Sequence, residues 1–127
     1  MNKRSLQILL SLLLLLIVSS AQAAKPPFWE HEEVVEKYLE IGLSDQEAVR
    51  FRIAVTDYLY EVEAMVDKTL RRNDTGAGKL IKRKSKSLAK NLDADVSKFL
   101  TEDQMSRYQG YRKVLIKKML KAYQWRL

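Results

Sequence analysis

The chain has 127 residues, with 23 Lys plus Arg against 16 Asp plus Glu, a single His and no Cys. The lack of cysteine excludes a disulfide scaffold, a thiolate metal site and a cysteine nucleophile. With only four Gly and two Pro, a β-sandwich or barrel, which needs a turn about every ten residues, is excluded too, and the length allows one domain.

In chain order, residues 1–23 read as an export signal. Lys3 and Arg4 form a positive start, Leu6 to Val18 an apolar run, and Ala21-Gln22-Ala23 a small-x-small cleavage site. The run is 13 residues long, short of the roughly 20 that a membrane-spanning helix needs. No cysteine follows it to carry a lipid. Residues 24–127 are therefore expected to form a single exported helical domain, periplasmic in a bacterium with two membranes, with no stable membrane insertion once the signal is removed.

Charge is split along this domain. Residues 24–67 hold 11 acidic and 4 basic residues, a net of −7, whereas residues 68–127 hold 5 acidic and 17 basic, a net of +12. A basic half raises nucleic acid as a partner, but an exported protein rarely meets any, so no nucleic acid is expected. Either the acidic part packs beside the basic part, or a positive surface faces acidic or unfolded chains or lipid head groups.

Lys25-Pro26-Pro27 is an extended leader, because each proline moves its predecessor out of the helical region. A first helix is predicted from Trp29 to Ile41, with Phe28, Val34, Val35, Tyr38, Leu39 and Ile41 at helical spacing. Gly42 ends it, as glycine does past a helix C-terminus.

A second helix is predicted from Asp45 to about Arg72. Ser44 and Glu47 form a capping box. Ala48, Phe51, Val55, Leu59, Val62, Val66 and Thr69/Leu70 repeat at three-and-four spacing as one apolar stripe, widened by Val49, Ile53, Tyr60 and Met65. Asn73 to Gly78 is the clearest break, and a short turn between long helices makes an antiparallel hairpin.

The third helix is expected from about Lys79 to Phe99, with the stripe Ile81, Ser85, Leu88, Leu92, Val96 and Phe99. Its first two turns are basic and expected to fray or lie at the surface. Thr101 starts the fourth helix with a second capping box, Thr101 and Gln104. Met105, Tyr108, Tyr111/Arg112, Leu115, Met119 and Ala122/Tyr123 form its stripe. The class is thus all-α with four helices, and the hairpin lays the acidic second helix beside the basic third.

Both capped starts follow a leucine. Leu43-Ser44-Asp45-Gln46-Glu47 reads L-S-x-x-E, and Leu100-Thr101-Glu102-Asp103-Gln104 reads L-T-x-x-Q. On these residues, over roughly Tyr38 to Tyr123, the chain resembles the LTxxQ family of bacterial periplasmic proteins, the Spy/CpxP group. The second copy fits the motif fully. The first has Ser for Thr and Glu for Gln, changes that keep the capping chemistry. The resemblance implies a thin, bent four-helix protomer paired into a cradle-shaped homodimer whose concave face holds partly unfolded clients without ATP. Some relatives instead inhibit an envelope-stress sensor kinase, and others bind metals as resistance sensors. No catalytic residue and no cofactor is implied.

The residues point independently to a binding surface. Long helices in so short a chain enclose little interior, so apolar stripes stay partly uncovered. Aromatics are in surplus: Phe51, Tyr58, Tyr60, Tyr108, Tyr111, Tyr123 and Trp125 exceed one narrow stripe. Tyrosine rings tolerate a half-wet position, and Arg and Lys stems cover apolar surface while their charges stay in water. The expected client surface takes charge from Arg50, Arg52, Lys82, Arg83, Lys86, Arg107, Arg112 and Lys113, and apolar contact from Phe51, Tyr58, Tyr108 and Tyr111. The alternative for these aromatics is that they fill the core or a dimer interface.

Other chemistries find less support. His31 lies among Glu30, Glu32, Glu33 and Glu36, but the positions that share its helical face are Pro27, Phe28, Val34 and Val35, none a metal ligand. It is a weak metal candidate, against a solvated acidic helix end. H-E-E-V-V is not H-E-x-x-H, and Gly76-Ala77-Gly78-Lys79 fails the phosphate-loop spacing. Asp93 and Asp95 do not share a helix face. No nucleophile–base pair suggests an enzyme. The stretch Lys79 to Lys90 could touch anionic lipid or lipopolysaccharide through charge, or be a solvated face.

Overall fold

The structure is a computed structural model that describes residues 27–72 and 75–126. The export signal at 1–23 lies outside the described residues, as do Asn73, Asp74 and the side chain of Trp125. Four α-helices follow in order: α1 (Glu32–Ile41), α2 (Asp45–Arg71), α3 (Ala77–Ser97) and α4 (Glu102–Tyr123). Short 3₁₀ turns flank them at Phe28–Glu30 and Gln124–Arg126. There are no strands among the described residues, and no helix there is long and apolar enough to cross a membrane.

The first helix starts later than its sequence pattern predicts. His31 is extended (φ −56°, ψ 137°), and its Nδ1 accepts a hydrogen bond from the Glu33 N–H at 3.2 Å. Imidazole thus acts as the N-cap, and Phe28 to Glu30 form a separate turn. At the other end Gly42 takes the left-handed conformation (φ 71°, ψ 49°), its N–H donating to the Leu39 carbonyl, a geometry that side-chain-bearing residues resist. Helix α3 begins at Ala77, two residues before the expected start, behind a left-handed Gly76 (φ 86°). Its basic first turns are continuous helix, held by the buried Ile81 and Ser85.

Contacts fix the arrangement. Tyr58 on α2 donates to the Ser85 carbonyl on α3 at 3.1 Å, across the predicted hairpin. Helix α1 runs antiparallel to α4, with Lys118 3.8 Å from Glu33 and the Tyr38 and Tyr111 rings 6.2 Å apart. Helices α2 and α4 run parallel, because Glu47 meets Gln104, Phe51 meets Tyr108 and Tyr111, and Glu63 meets Tyr123. Helix α4 ends level with Glu63, and the turn that follows it reaches Asp67 on α2 through Arg126.

The core is the set of facing stripes: Val34, Tyr38 and Ile41 from α1, Phe51, Val55, Val62 and Val66 from α2, Ile81, Leu92 and Val96 from α3, and Tyr108, Leu115 and Met119 from α4. Each large side chain so buried stabilises by about 1.5–3 kcal/mol before entropy is counted. Met65 joins this core, as the widened stripe of α2 predicts. Val49, Ile53 and Tyr60 do not. They lie on the opposite side of α2, 40%, 54% and 70% exposed. At about 100° per residue they centre on one line, and Phe51, Val55, Tyr58 and Val62 on the line roughly 180° away.

Candidate protein-binding surface

The two capped helix starts meet in space. The Ser44 hydroxyl accepts from the Glu47 N–H at 3.2 Å while Glu47 Oε1 accepts from the Ser44 N–H at 2.8 Å. Thr101 and Gln104 repeat this at 3.2 and 3.0 Å. The amide of Gln104 then donates to the Gly42 carbonyl at 3.1 Å and to Glu47 Oε1 at 3.2 Å. The Ser44 N–H bond, with help from the Gln104 amide, holds the Glu47 carboxyl below its ordinary value. Leu43 is buried and Leu100 half-buried behind the two boxes. All six motif residues therefore build one structural joint, which clamps α2 and α4 side by side.

The four aromatics expected to contact clients are not at the surface. Phe51, Tyr58, Tyr108 and Tyr111 are all buried. The Phe51 ring lies 5.6 Å from Tyr38, 5.2 Å from Tyr111 and 6.0 Å from Tyr108, the pair with Tyr108 nearly perpendicular. Such edge-on pairs add about 0.5–1.5 kcal/mol each beyond area burial. The polar tips are what make burial tolerable: Tyr58 finds the Ser85 carbonyl, and Tyr108 donates to Asp93 at 2.7 Å. Burial, reinforced at Tyr108 by the hydrogen bond to Asp93, pushes both phenols well above their ordinary value. Burial alone takes Tyr38 up to about 12. The alternative reading of these rings, as core, is the one the structure adopts.

The expected cations divide in two. Arg112 is half-buried and bonded to Asp93, so it serves the core network. Arg50 is exposed but lies 4.5 Å over the Phe99 ring, sealing the α3–α4 junction. Arg52 is half-buried, and Lys82, Arg83, Lys86, Arg107 and Lys113 are exposed. These cations are spread over α2, α3 and α4.

The apolar surface that the structure offers lies elsewhere, in residues whose spacing carried the signal. Val49, Ile53, Thr56 and Tyr60 follow at four, three and four, the repeat of a second stripe rather than a broader first one. Beside Thr56 and Tyr60 opens a groove of about 200 Å³, lined by Phe28, Trp29, Thr56, Leu59, Tyr60, Glu63 and Tyr123. Phe28 packs edge-on against Trp29, with centroids 4.9 Å apart, and lies 6.4 Å from Tyr123. Glu63 closes one rim, accepting from the Tyr123 hydroxyl and from Arg126 at 2.9 Å. The stripe and groove together make an open, largely apolar track along one side of α2.

His31 is occupied as a helix cap through Nδ1. Among the described residues no three His, Cys, Asp or Glu side chains come together in a way that could hold a metal ion. No protein-family model, no curated protein and no solved structure matches this chain.

Proposed function

We propose that this is an exported, periplasmic, non-enzymatic protein that holds unfolded or stress-damaged envelope proteins without ATP. The observation that carries the reading is the outward stripe Val49–Ile53–Tyr60, which continues into the groove at Phe28, Trp29 and Tyr123. Apolar residues at the centre of a helix's solvent face gain nothing for the protomer, and rows of them mark interaction surfaces. Such a track accepts apolar side chains without demanding a sequence, and Arg52 and Glu63 on its flanks keep it soluble. The resemblance to the LTxxQ group points the same way, with the client surface moved from the buried tyrosines to the outer side of α2.

Light scattering of an aggregating client provides the test. A modest excess of the protein should suppress aggregation, and Ile53→Asp with Tyr60→Asp should abolish suppression while leaving helicity unchanged. Aggregation unaffected by a large excess of the unaltered protein refutes the function.

The 4-3-4 spacing of the stripe supports a second reading, since it is the repeat of a coiled-coil seam. In that reading the occupant is another copy of the chain, and the expected homodimer forms through α2. Sedimentation distinguishes the two. A dimer that Ile53→Asp converts to a folded monomer with client protection intact assigns the stripe to self-association.

A further inference from the structure

The end of the α2–α3 hairpin carries a charge that neither the core nor the apolar track uses. Residues 68–90 contain nine Lys or Arg and one acid, Asp74. None of the nine forms an ion pair among the described residues. On α3 the cations are ordered. Lys79, Arg83, Lys86 and Lys90 follow at four, three and four and are all exposed. The buried row Ile81, Ser85, Ala89 and Leu92 faces the other way. The result is a straight ladder about 16 Å long on the outermost ridge of the helix.

We infer that this ladder docks the protein on the anionic surface of a lipid bilayer. A convex ridge has no pocket or groove to enclose a polymer, but it can lie along a flat lattice of phosphate head groups. Residues 77–98 contain no aromatic side chain, so there is no platform on which nucleic-acid bases could stack. The long Lys and Arg stems let each charge reach the head-group plane while the helix stays above it. No apolar insertion is involved, so binding is electrostatic. Each cation at such a surface strengthens binding about fivefold, and the attraction fades over a Debye length of about 10 Å at 0.1 M salt. Four acting together suffice to hold the protein at a membrane at low salt. The inference stands apart from client binding, because the ladder and the apolar track share no residue.

The experiment is cosedimentation of the full chain with vesicles of equal phosphatidylglycerol and phosphatidylcholine, and with pure phosphatidylcholine. The readout is the affinity ratio between them, in which any apolar contribution of residues 1–26 cancels, while the charges of Lys3, Arg4 and Lys25 are the same in every variant compared. A large preference for the anionic vesicles that collapses in 500 mM salt is expected, since salt screens the attraction. Replacing Lys79, Arg83 and Lys86 by Gln should cut that preference about a hundredfold, at about fivefold per charge. Replacing the exposed Lys98, Lys117 and Lys121 by Gln removes equal charge and should cost much less. Equal losses in the two triple variants, or no loss in the first, overturn the inference. So does binding of poly-glutamate at least as tight as that of anionic vesicles, which would assign the ladder to acidic polypeptides.

Discussion

The side-chain amide of Gln104 donates to the carboxylate of Glu47 at 3.2 Å, joining helix caps 57 residues apart in sequence. One amide group therefore does two jobs: its oxygen closes the N-terminus of α4, and its nitrogen ties that end to α2 and to the Gly42 carbonyl. Gln104→Glu keeps the acceptor for Thr101, loses the donor and places a second carboxylate beside Glu47. It should destabilise by about 1–3 kcal/mol at pH 7, read from denaturant midpoints. Most of that loss should disappear below about pH 4, as carboxylates protonate. An unchanged midpoint at pH 7 would show that the joint contributes nothing.

Glu47 itself sets part of the acid limit. Its folded carboxyl lies below the ordinary value, so it releases its proton more readily in the folded than in the unfolded chain. The stability this gives is fully present above the unfolded value and is lost as pH falls through the folded one. Glu47→Gln retains an acceptor for Ser44 and should flatten the dependence of stability on pH between about 5 and 3. A slope identical to that of the unaltered protein contradicts the assignment.

The tyrosines set the alkaline limit with the opposite sign. Burial raises Tyr38 to about 12 and lifts Tyr58, Tyr108 and Tyr111 as well. Each keeps its proton more tightly in the folded chain, so stability is full below the unfolded value and declines as pH rises above about 10. Ultraviolet titration should show these phenols ionising together with the loss of helical circular dichroism. Ionisation of all of them in a chain that remains folded would place them at the surface.

Within the core, Tyr58 and Ser85 can be separated by substitution. Tyr58→Phe removes the donor to the Ser85 carbonyl and should cost about 1 kcal/mol. The Ser85 hydroxyl is buried and has no hydrogen-bond partner among the described residues. Ser85→Ala should therefore leave stability unchanged or raise it by up to about 1 kcal/mol, because an unsatisfied polar group is removed with no loss of packing. Thermal melts of both variants provide the check, and a strongly destabilised Ser85→Ala protein would reveal a bond for that hydroxyl. Tyr108→Phe, by contrast, deprives the half-buried Asp93 of a partner and should cost about 1–3 kcal/mol.

What the amino-acid order determined by itself is local. Ser44, Glu47, Thr101 and Gln104 close helix ends with their nearest neighbours, Gly42 supplies a left-handed stop, and apolar spacing repeats at the helical period. These are interactions across three or four residues, so four helices, most of their limits and the hairpin were legible. The buried stripes of α3 and α4 were legible for the same reason. The start of α1 was not, because His31 is an uncommon cap, and it shortened the helix predicted from Trp29. The role of each aromatic was decided only by tertiary packing. A tyrosine suits a wet surface and a core equally well until its hydroxyl has or lacks a partner, and the partners of Tyr58 and Tyr108 come from α3, 27 and 15 residues away. The same holds for α2, whose two apolar stripes look like one wide stripe in one dimension. Only when α1, α3 and α4 cover one side does the other, with Val49, Ile53 and Tyr60, stand exposed, because a helix in a bundle has neighbours on one face and water on the other.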